Sequence, residues 1–159
     1  IPYQKATLHN PTYNNMQRTM TQGKMTAIAH NAALRALLEK IGQKPDAILI
    51  DQFAEKSVYY QHLRAERDIV RDDVYFSTKA EGLHVAVAAA SILARAFFLK
   101  EMDKLSKQVG LTLPKGAGAK VDQVAAQIIR GHGQDYLQKI AKVHFANTKK
   151  AINLNERRL

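Results

Sequence analysis

The chain has 159 residues, of which 24 are Lys or Arg and 14 are Asp or Glu, giving a formal net charge of +10. A basic excess of this size favours nucleic acid or another polyanion as the partner. Cysteine is absent, which excludes disulfide bonds and thiolate metal sites. Because 46% of the residues are hydrophobic, there is enough apolar material for a packed core, and we expect residues 1–159 to form a single domain.

The pattern of apolar residues predicts strands and helices in alternation, followed by helices alone. Predicted strands cover residues 3–9, 47–51 and 69–76. Predicted helices cover residues 13–20, 24–41, 56–64, 81–109, 119–131, 133–142 and a last segment that begins near 148. The helix 24–41 is expected to end at Gly42. This order indicates an α/β core with a helical C-terminal extension.

No apolar run reaches the ~20 residues that a membrane-spanning helix needs, and nothing resembles a signal peptide. The longest apolar stretch, residues 83–99, contains His84 and Arg95 and is interpreted as a core helix in which His84 is buried. We therefore expect a cytoplasmic protein. The chain begins at Ile1 without an initiator methionine, so we expect it to be part of a longer protein.

Two acidic residues lie where regular elements begin or end. The apolar run 47–50 stops at Asp51, and Glu81 precedes the apolar stretch 83–95, whose all-round apolar character predicts a buried helix packed across a sheet. An acid at the end of a buried strand and an acid on the first turn of such a helix are suited to hold a hard divalent cation through oxygen. The alternative is a purely structural role in capping.

Several short segments resemble the catalytic domain of ribonuclease HIII, a bacterial type-2 ribonuclease H. They run in the same order through essentially the whole chain: Tyr13-Asn14, His30-Asn31, 48–53, 77–81, 88–95, 116–118 with Val121-Asp122, and 142–148. The sequence Lys79-Ala80-Glu81 resembles ribonuclease HIII in particular, since the sister enzyme ribonuclease HII usually has Asp at that last position. The resemblance implies a ribonuclease H-like mixed sheet of five strands flanked by helices.

The resemblance also implies a function, namely hydrolysis of the RNA strand of RNA/DNA hybrids to leave 5′-phosphate and 3′-hydroxyl ends. Carboxylates then hold two Mg²⁺ or Mn²⁺ ions ~4 Å apart, which stabilise the attacking and leaving oxygens. Asp51 is expected to bind metal directly, and Glu81 to bind metal or orient the attacking water. Basic side chains are expected to contact the substrate: Lys79, Lys115, Lys142 and His144. The alternatives are a solvated Lys79 and a capping or core role for His144.

One departure from the family pattern limits this interpretation. The site of ribonuclease HIII uses four acids, and the first two form an adjacent Asp-Glu pair on the first strand, which has no counterpart here. The adjacent acids Asp72-Asp73 do not match it. We therefore expect the C-terminal part of the catalytic domain, without its N-terminal strands and inactive alone, with the missing part of the same protein as a partner. Alternative functions are a non-catalytic nucleic-acid-binding fragment and another nuclease of the ribonuclease H superfamily.

Overall fold

The computed structural model describes residues 1–156. Its elements in chain order are α1 (Asn10–Gln17), α2 (Gln22–Ile41), β1 (Ile48–Asp51), α3 (Lys56–His62), β2 (Val74–Ser77), a 3-10 turn (Ala80–Gly82), α4 (Val85–Val109), α5 (Ala119–His132), a second 3-10 turn (Gln134–Tyr136), α6 (Leu137–Ile140) and α7 (Ala146–Glu156). The predicted α/β class is confirmed, and the chain divides into two compact units.

The first unit comprises residues 1–8 and 20–96 and contains the sheet. Strands β1 and β2 pair in parallel, with Ile48 opposite Val74 and Asp51 opposite Ser77. A parallel pair needs a crossover between its strands, and α3 lies within that connection. The core of this unit is formed by five buried residues: Ala27, Ile50, Tyr59, Leu63 and Val74.

The second unit comprises residues 9–19 and 97–159, and its described part, which ends at Glu156, is helical. Apolar residues from the end of α4, from the segment after it, from α5 and from α6 form its core: Val109, Leu113, Ile128, Leu137 and Ile140. The prediction of a C-terminal helical extension is therefore confirmed. The prediction that residues 1–159 form one domain stays a prediction.

The sequence placed α2, β1 and α5 almost to the residue, but other predicted elements differ from the structure: helix 13–20 lies at 10–17, helix 81–109 begins at Val85 after a 3-10 turn, and the segment 133–142 forms a 3-10 turn and the short helix α6. Residues 3–9 are not a strand, and within the described chain the sheet consists of β1 and β2. The pattern of residues 3–9 is compatible with a strand. A strand is stable, however, only where a neighbouring strand forms hydrogen bonds with its backbone groups. The segment 69–76 forms a strand only from Val74.

The prediction that the first half of α4 is buried is wrong for the described part of the chain. Leu83, Val85 and Ile92 are 69%, 80% and 71% exposed. The reason is that the sheet of the described chain has only two strands of four residues each, which offer too little surface to cover a helix of 25 residues. His84 is also exposed rather than buried, and its Nδ1 accepts a hydrogen bond from the Ala86 backbone N–H at 3.1 Å.

Between residues 1 and 156, no helix combines the length and the apolar character that crossing a membrane requires.

Candidate active site and nucleic-acid interface

The two predicted metal ligands lie at one edge of the parallel sheet. Because β1 and β2 are parallel, their carboxyl ends meet there, and the backbone N–H of Gln52 donates to the carbonyl oxygen of Ser77 at 2.9 Å. Asp51 is the last residue of β1 and is exposed. The edge therefore presents the Asp51 carboxylate to solvent, beside the turn that follows β2.

That turn brings Glu81 close to Asp51 along the backbone. Lys79 adopts a left-handed conformation with φ of 57°, which is unfavourable for a residue with a side chain. The next residue, Ala80, is fully buried, and its backbone N–H donates to Asp51 Oδ1 at 3.1 Å. Glu81 follows directly and is exposed in the 3-10 turn, rather than on the first turn of α4 as predicted. A hydrogen bond thus ties Asp51 to the residue before Glu81.

The chemistry of this edge fits a hard divalent cation in part. Asp51 and Glu81 offer exposed carboxylate oxygens, which Mg²⁺ and Mn²⁺ prefer. The Ala80 amide donates to Asp51 Oδ1 and thereby restrains this carboxylate. Within residues 1–156, no group of three or more His, Cys, Asp or Glu residues is arranged to hold a metal ion. The described chain presents two carboxylates at this edge, which is fewer than a closed ligand set for a metal ion needs.

The adjacent acids Asp72 and Asp73 lie at the opposite end of the same strands. The backbone N–H of Ile48, the first residue of β1, donates to the Asp73 carbonyl oxygen at 2.8 Å. The Asp73 carboxylate pairs with Lys44 at 2.7 Å, and its hydrogen bond and charge raise the pKa of Lys44 above the usual 10.5. The structure therefore separates this pair from the edge that carries Asp51.

In the second unit, the buried side chain of Asn14 holds the segment that carries Lys142. Its Nδ2 donates to the carbonyl oxygens of Gln138 at 3.0 Å and Ala141 at 2.8 Å, and its Oδ1 accepts from the backbone N–H of Val143 at 3.1 Å. These bonds fix the backbone on both sides of Lys142, which is itself exposed.

Two of the predicted substrate-binding residues meet at Tyr13. Lys142 Nζ lies 4.3 Å from the centroid of the Tyr13 ring, within the range of a cation–π contact. The His144 ring lies 5.6 Å from the same ring, measured between centroids. Burial raises the pKa of Tyr13 above its usual 10.0, so its hydroxyl stays neutral. The structure thus places Lys142 and His144 at one exposed site on a buried tyrosine.

The loop that carries Lys115 is tied to the same C-terminal segment. Asn147 donates from Nδ2 to the carbonyl oxygen of Ala117 at 3.0 Å and also to the buried carboxylate of Asp122. Asp122 is therefore held inside the second unit by this hydrogen bond. Lys115, two residues before Ala117, is exposed. The six predicted site residues thus fall into two groups, with Asp51, Lys79 and Glu81 in the first unit and the other three in the second.

Sequence reasoning assigned no role to the residues that organise these groups. Tyr13 and Asn14 belong to the segments that resemble ribonuclease HIII. Their partners lie about 130 positions further along the chain, and a local sequence pattern cannot predict contacts over such a separation. The amide of Ala80 was missed because backbone groups carry no residue-type signal.

Comparison with known proteins decides the family. A sequence model of the family described as ribonuclease HII matches residues 1–148. The chain belongs to this family. Two curated relatives named ribonuclease HIII, from Exiguobacterium sibiricum and Bacillus subtilis, are 66% and 57% identical to it, each over 99% of the chain. These identities confirm the resemblance to ribonuclease HIII.

Solved structures of family members agree with the fold. The crystal structure of Bst-RNase HIII in complex with Mn²⁺ superimposes with a TM-score of 0.93, at 51% identity over 94% of this chain. The chain covers 49% of that structure, and 52% and 51% of the two curated relatives. It therefore spans about half the length of the ribonuclease HII family proteins that it matches.

Proposed function

We propose that the protein to which this chain belongs is a metal-dependent endoribonuclease that hydrolyses the RNA strand of RNA/DNA hybrids and leaves 5′-phosphate and 3′-hydroxyl ends. The observation that carries the proposal is the hydrogen bond from the Ala80 amide to Asp51 Oδ1. It brings two acids that are 30 positions apart to one edge of a parallel sheet. Membership of the ribonuclease HII family supports a role for this pair of acids in binding the catalytic metal ions.

In this proposal Asp51 and Glu81 hold the divalent ions. Bound Mg²⁺ or Mn²⁺ would lower the pKa of a water molecule and neutralise charge on the leaving oxygen. The Ala80 amide donates to Asp51 Oδ1 and so restrains the carboxylate that would bind the ion. Glu81 binds the ion or orients the attacking water. Lys79, next to Ala80, contacts the scissile phosphate.

The remaining contacts to the substrate come from the second unit. This unit contains 13 of the 24 Lys and Arg residues but only five of the 14 acids. We propose that three exposed basic residues of this unit contact the phosphate backbone of the substrate: Lys115, Lys142 and His144. Phosphate contacts supply most of the affinity for nucleic acids.

We further infer that the part of the protein not spanned by this chain completes both the site and the fold. Two carboxylates cannot hold two ions in line with the scissile bond, so further acids are needed. The exposed apolar residues of α4, such as Val85 and Ile92, call for a sheet surface to cover them, since a helix that is apolar on all sides is stable only when buried. We therefore expect this chain by itself to bind a hybrid but not to cut it.

The experiment is a cleavage assay on a labelled RNA/DNA hybrid with Mg²⁺ or Mn²⁺. It compares this chain with a version extended upstream to the length of its relatives, and uses a DNA duplex of the same sequence as control. The extended protein should cut the hybrid only, and the RNA products should carry 5′-phosphates. Cleavage of both duplexes at similar rates would refute the substrate assignment. Robust cleavage by the short chain would refute the incomplete site.

The alternative function, a nucleic-acid-binding protein without catalysis, is favoured by one observation. Among residues 1–156, no group of three or more His, Cys, Asp or Glu residues is arranged to hold a metal ion. In the same assay, an extended protein that binds the hybrid tightly but leaves it intact would establish this alternative.

A further inference from the structure

Three rings lead from the interior of the second unit to its surface. Tyr13 is only 3% exposed, the His144 ring lies 5.6 Å from it, and the Phe145 ring lies 4.1 Å from His144 at an interplanar angle of 36°. Phe145 is 44% exposed. We call Tyr13, His144 and Phe145 the aromatic step.

The position of Phe145 is not explained by folding. Phe145 directly precedes α7, and its carbonyl oxygen accepts from the backbone N–H of Thr148 at 3.1 Å. At the start of a helix, Ser, Thr, Asp or Asn is preferred, because the side chain then accepts a hydrogen bond from the first turn. A phenyl ring has no acceptor, and 44% of Phe145 remains exposed. An exposed ring at such a position is available to a ligand.

The aromatic step is held rigidly on both sides. Asn14 binds the backbone at Ala141 and Val143, before the two exposed rings. Asn147, which follows them, is bound to Ala117 and to Asp122. A rigid platform loses little conformational entropy when a ligand binds, so more of the contact energy appears as affinity.

The charge beside the aromatic step identifies the kind of ligand. Lys142 Nζ lies 4.3 Å from the Tyr13 centroid, and the unit around it carries most of the positive charge of the chain. A flat apolar surface next to a cation suits a ligand with a π face and an anion a short distance away. A nucleotide has this combination, and aromatic side chains in basic grooves stack on bases in this way.

We propose that the aromatic step stacks an unpaired base of a strand that flanks the hybrid, while Lys142 neutralises the neighbouring phosphate. The base is unpaired, because bases inside a duplex are already stacked on their neighbours and expose only their edges. The inference rests on the proposed function for its nucleic-acid partner, and adds to it a preference for hybrids with a single-stranded extension.

The test measures binding of this chain to two hybrids, one blunt and one with a single-stranded RNA extension that contains 2-aminopurine. Stacking on an aromatic ring quenches the fluorescence of that base. The wild-type chain should quench it and bind the extended hybrid more tightly. Phe145→Ala should weaken that binding at least about fivefold and remove the quenching. Phe145→Tyr should retain both effects, because it keeps the ring.

The control is Phe98→Ala, since Phe98 belongs to the same unit and is 43% exposed but lies outside the aromatic step. It should behave as wild type, and circular dichroism melts should show every variant folded. Lys142→Ala should weaken binding to both hybrids, and it should reduce the slope of log affinity against log salt concentration by roughly 0.7–0.9. Equal affinity of the wild-type chain for the two hybrids, absent quenching, or wild-type behaviour of Phe145→Ala would each overturn the inference. Hybrid cleavage by the extended protein stays a separate readout of the proposed function.

Discussion

The side chain of Asn14 offers a quantitative test of how the second unit is held together. It makes three hydrogen bonds to backbone groups 124 to 129 positions away, at 2.8 to 3.1 Å, and it is buried. Asn14→Ala removes all three and leaves the Val143 N–H and two carbonyl oxygens without their partner. Each hydrogen bond contributes about 1 kcal/mol net, and buried groups left unpaired cost more. The expected loss is therefore about 3 kcal/mol.

A neighbouring residue provides the matched control. Asn15 lies on the same helix and is exposed, so Asn15→Ala changes helix propensity by the same few tenths of a kcal/mol without removing the three bonds. For a chain of this size 1 kcal/mol corresponds to roughly 2–4 °C. Thermal unfolding should place Asn14→Ala roughly 6–12 °C below Asn15→Ala. Melting temperatures within about 2 °C of each other would show that these bonds do not hold the unit.

Two further predictions concern the first unit. Burial lowers the pKa of His30 below its usual 6.5, so between the two pKa values the unfolded state binds more protons and stability falls as the pH drops below 6.5. Denaturant unfolding should show a steeper loss from pH 7 to pH 5 for the wild type than for His30→Gln, and parallel curves would contradict this. Lys79 has φ of 57°, so Lys79→Gly should raise stability by up to about 1 kcal/mol and Lys79→Val should lower it. The opposite order in the same assay would mean that this turn is not strained.

The parts of the fold that the sequence predicted are those governed by local rules. Helix α2 has a periodic apolar face and ends at Gly42, whose φ of 65° suits glycine. Strand β1 is a short apolar run that ends on Asp51. Parallel pairing of two such strands follows from the helix between them, and it predicts that their carboxyl ends meet. The position of Asp51 at the edge of the sheet where the carboxyl ends of β1 and β2 meet can therefore be predicted from the sequence.

The parts that could not be predicted depend on partners distant in the chain. The apolar pattern of α4 indicates that some surface must cover the helix, but it does not say that this surface lies within the chain, and Val85 and Ile92 are exposed. The segment 3–9 has the alternation of a strand but no strand beside it. The hydrogen bond from the Ala80 amide to Asp51 depends on the left-handed conformation of Lys79. The sequence does not predict this conformation, because the position is not occupied by glycine, the residue that usually adopts it.

The central claim is that Asp51 belongs to the catalytic metal site, and one comparison of variants tests it most directly. In the protein extended to the length of its relatives, Asp51→Asn keeps an acceptor for the Ala80 amide but removes the charge. Because stabilisation of the transition state by bound metal is worth several kcal/mol, turnover of an RNA/DNA hybrid should fall at least ~100-fold. Asp72→Asn removes an acid at the other end of the sheet and should leave turnover within about twofold of wild type. If Asp72→Asn proved as damaging as Asp51→Asn, the site assignment would be wrong.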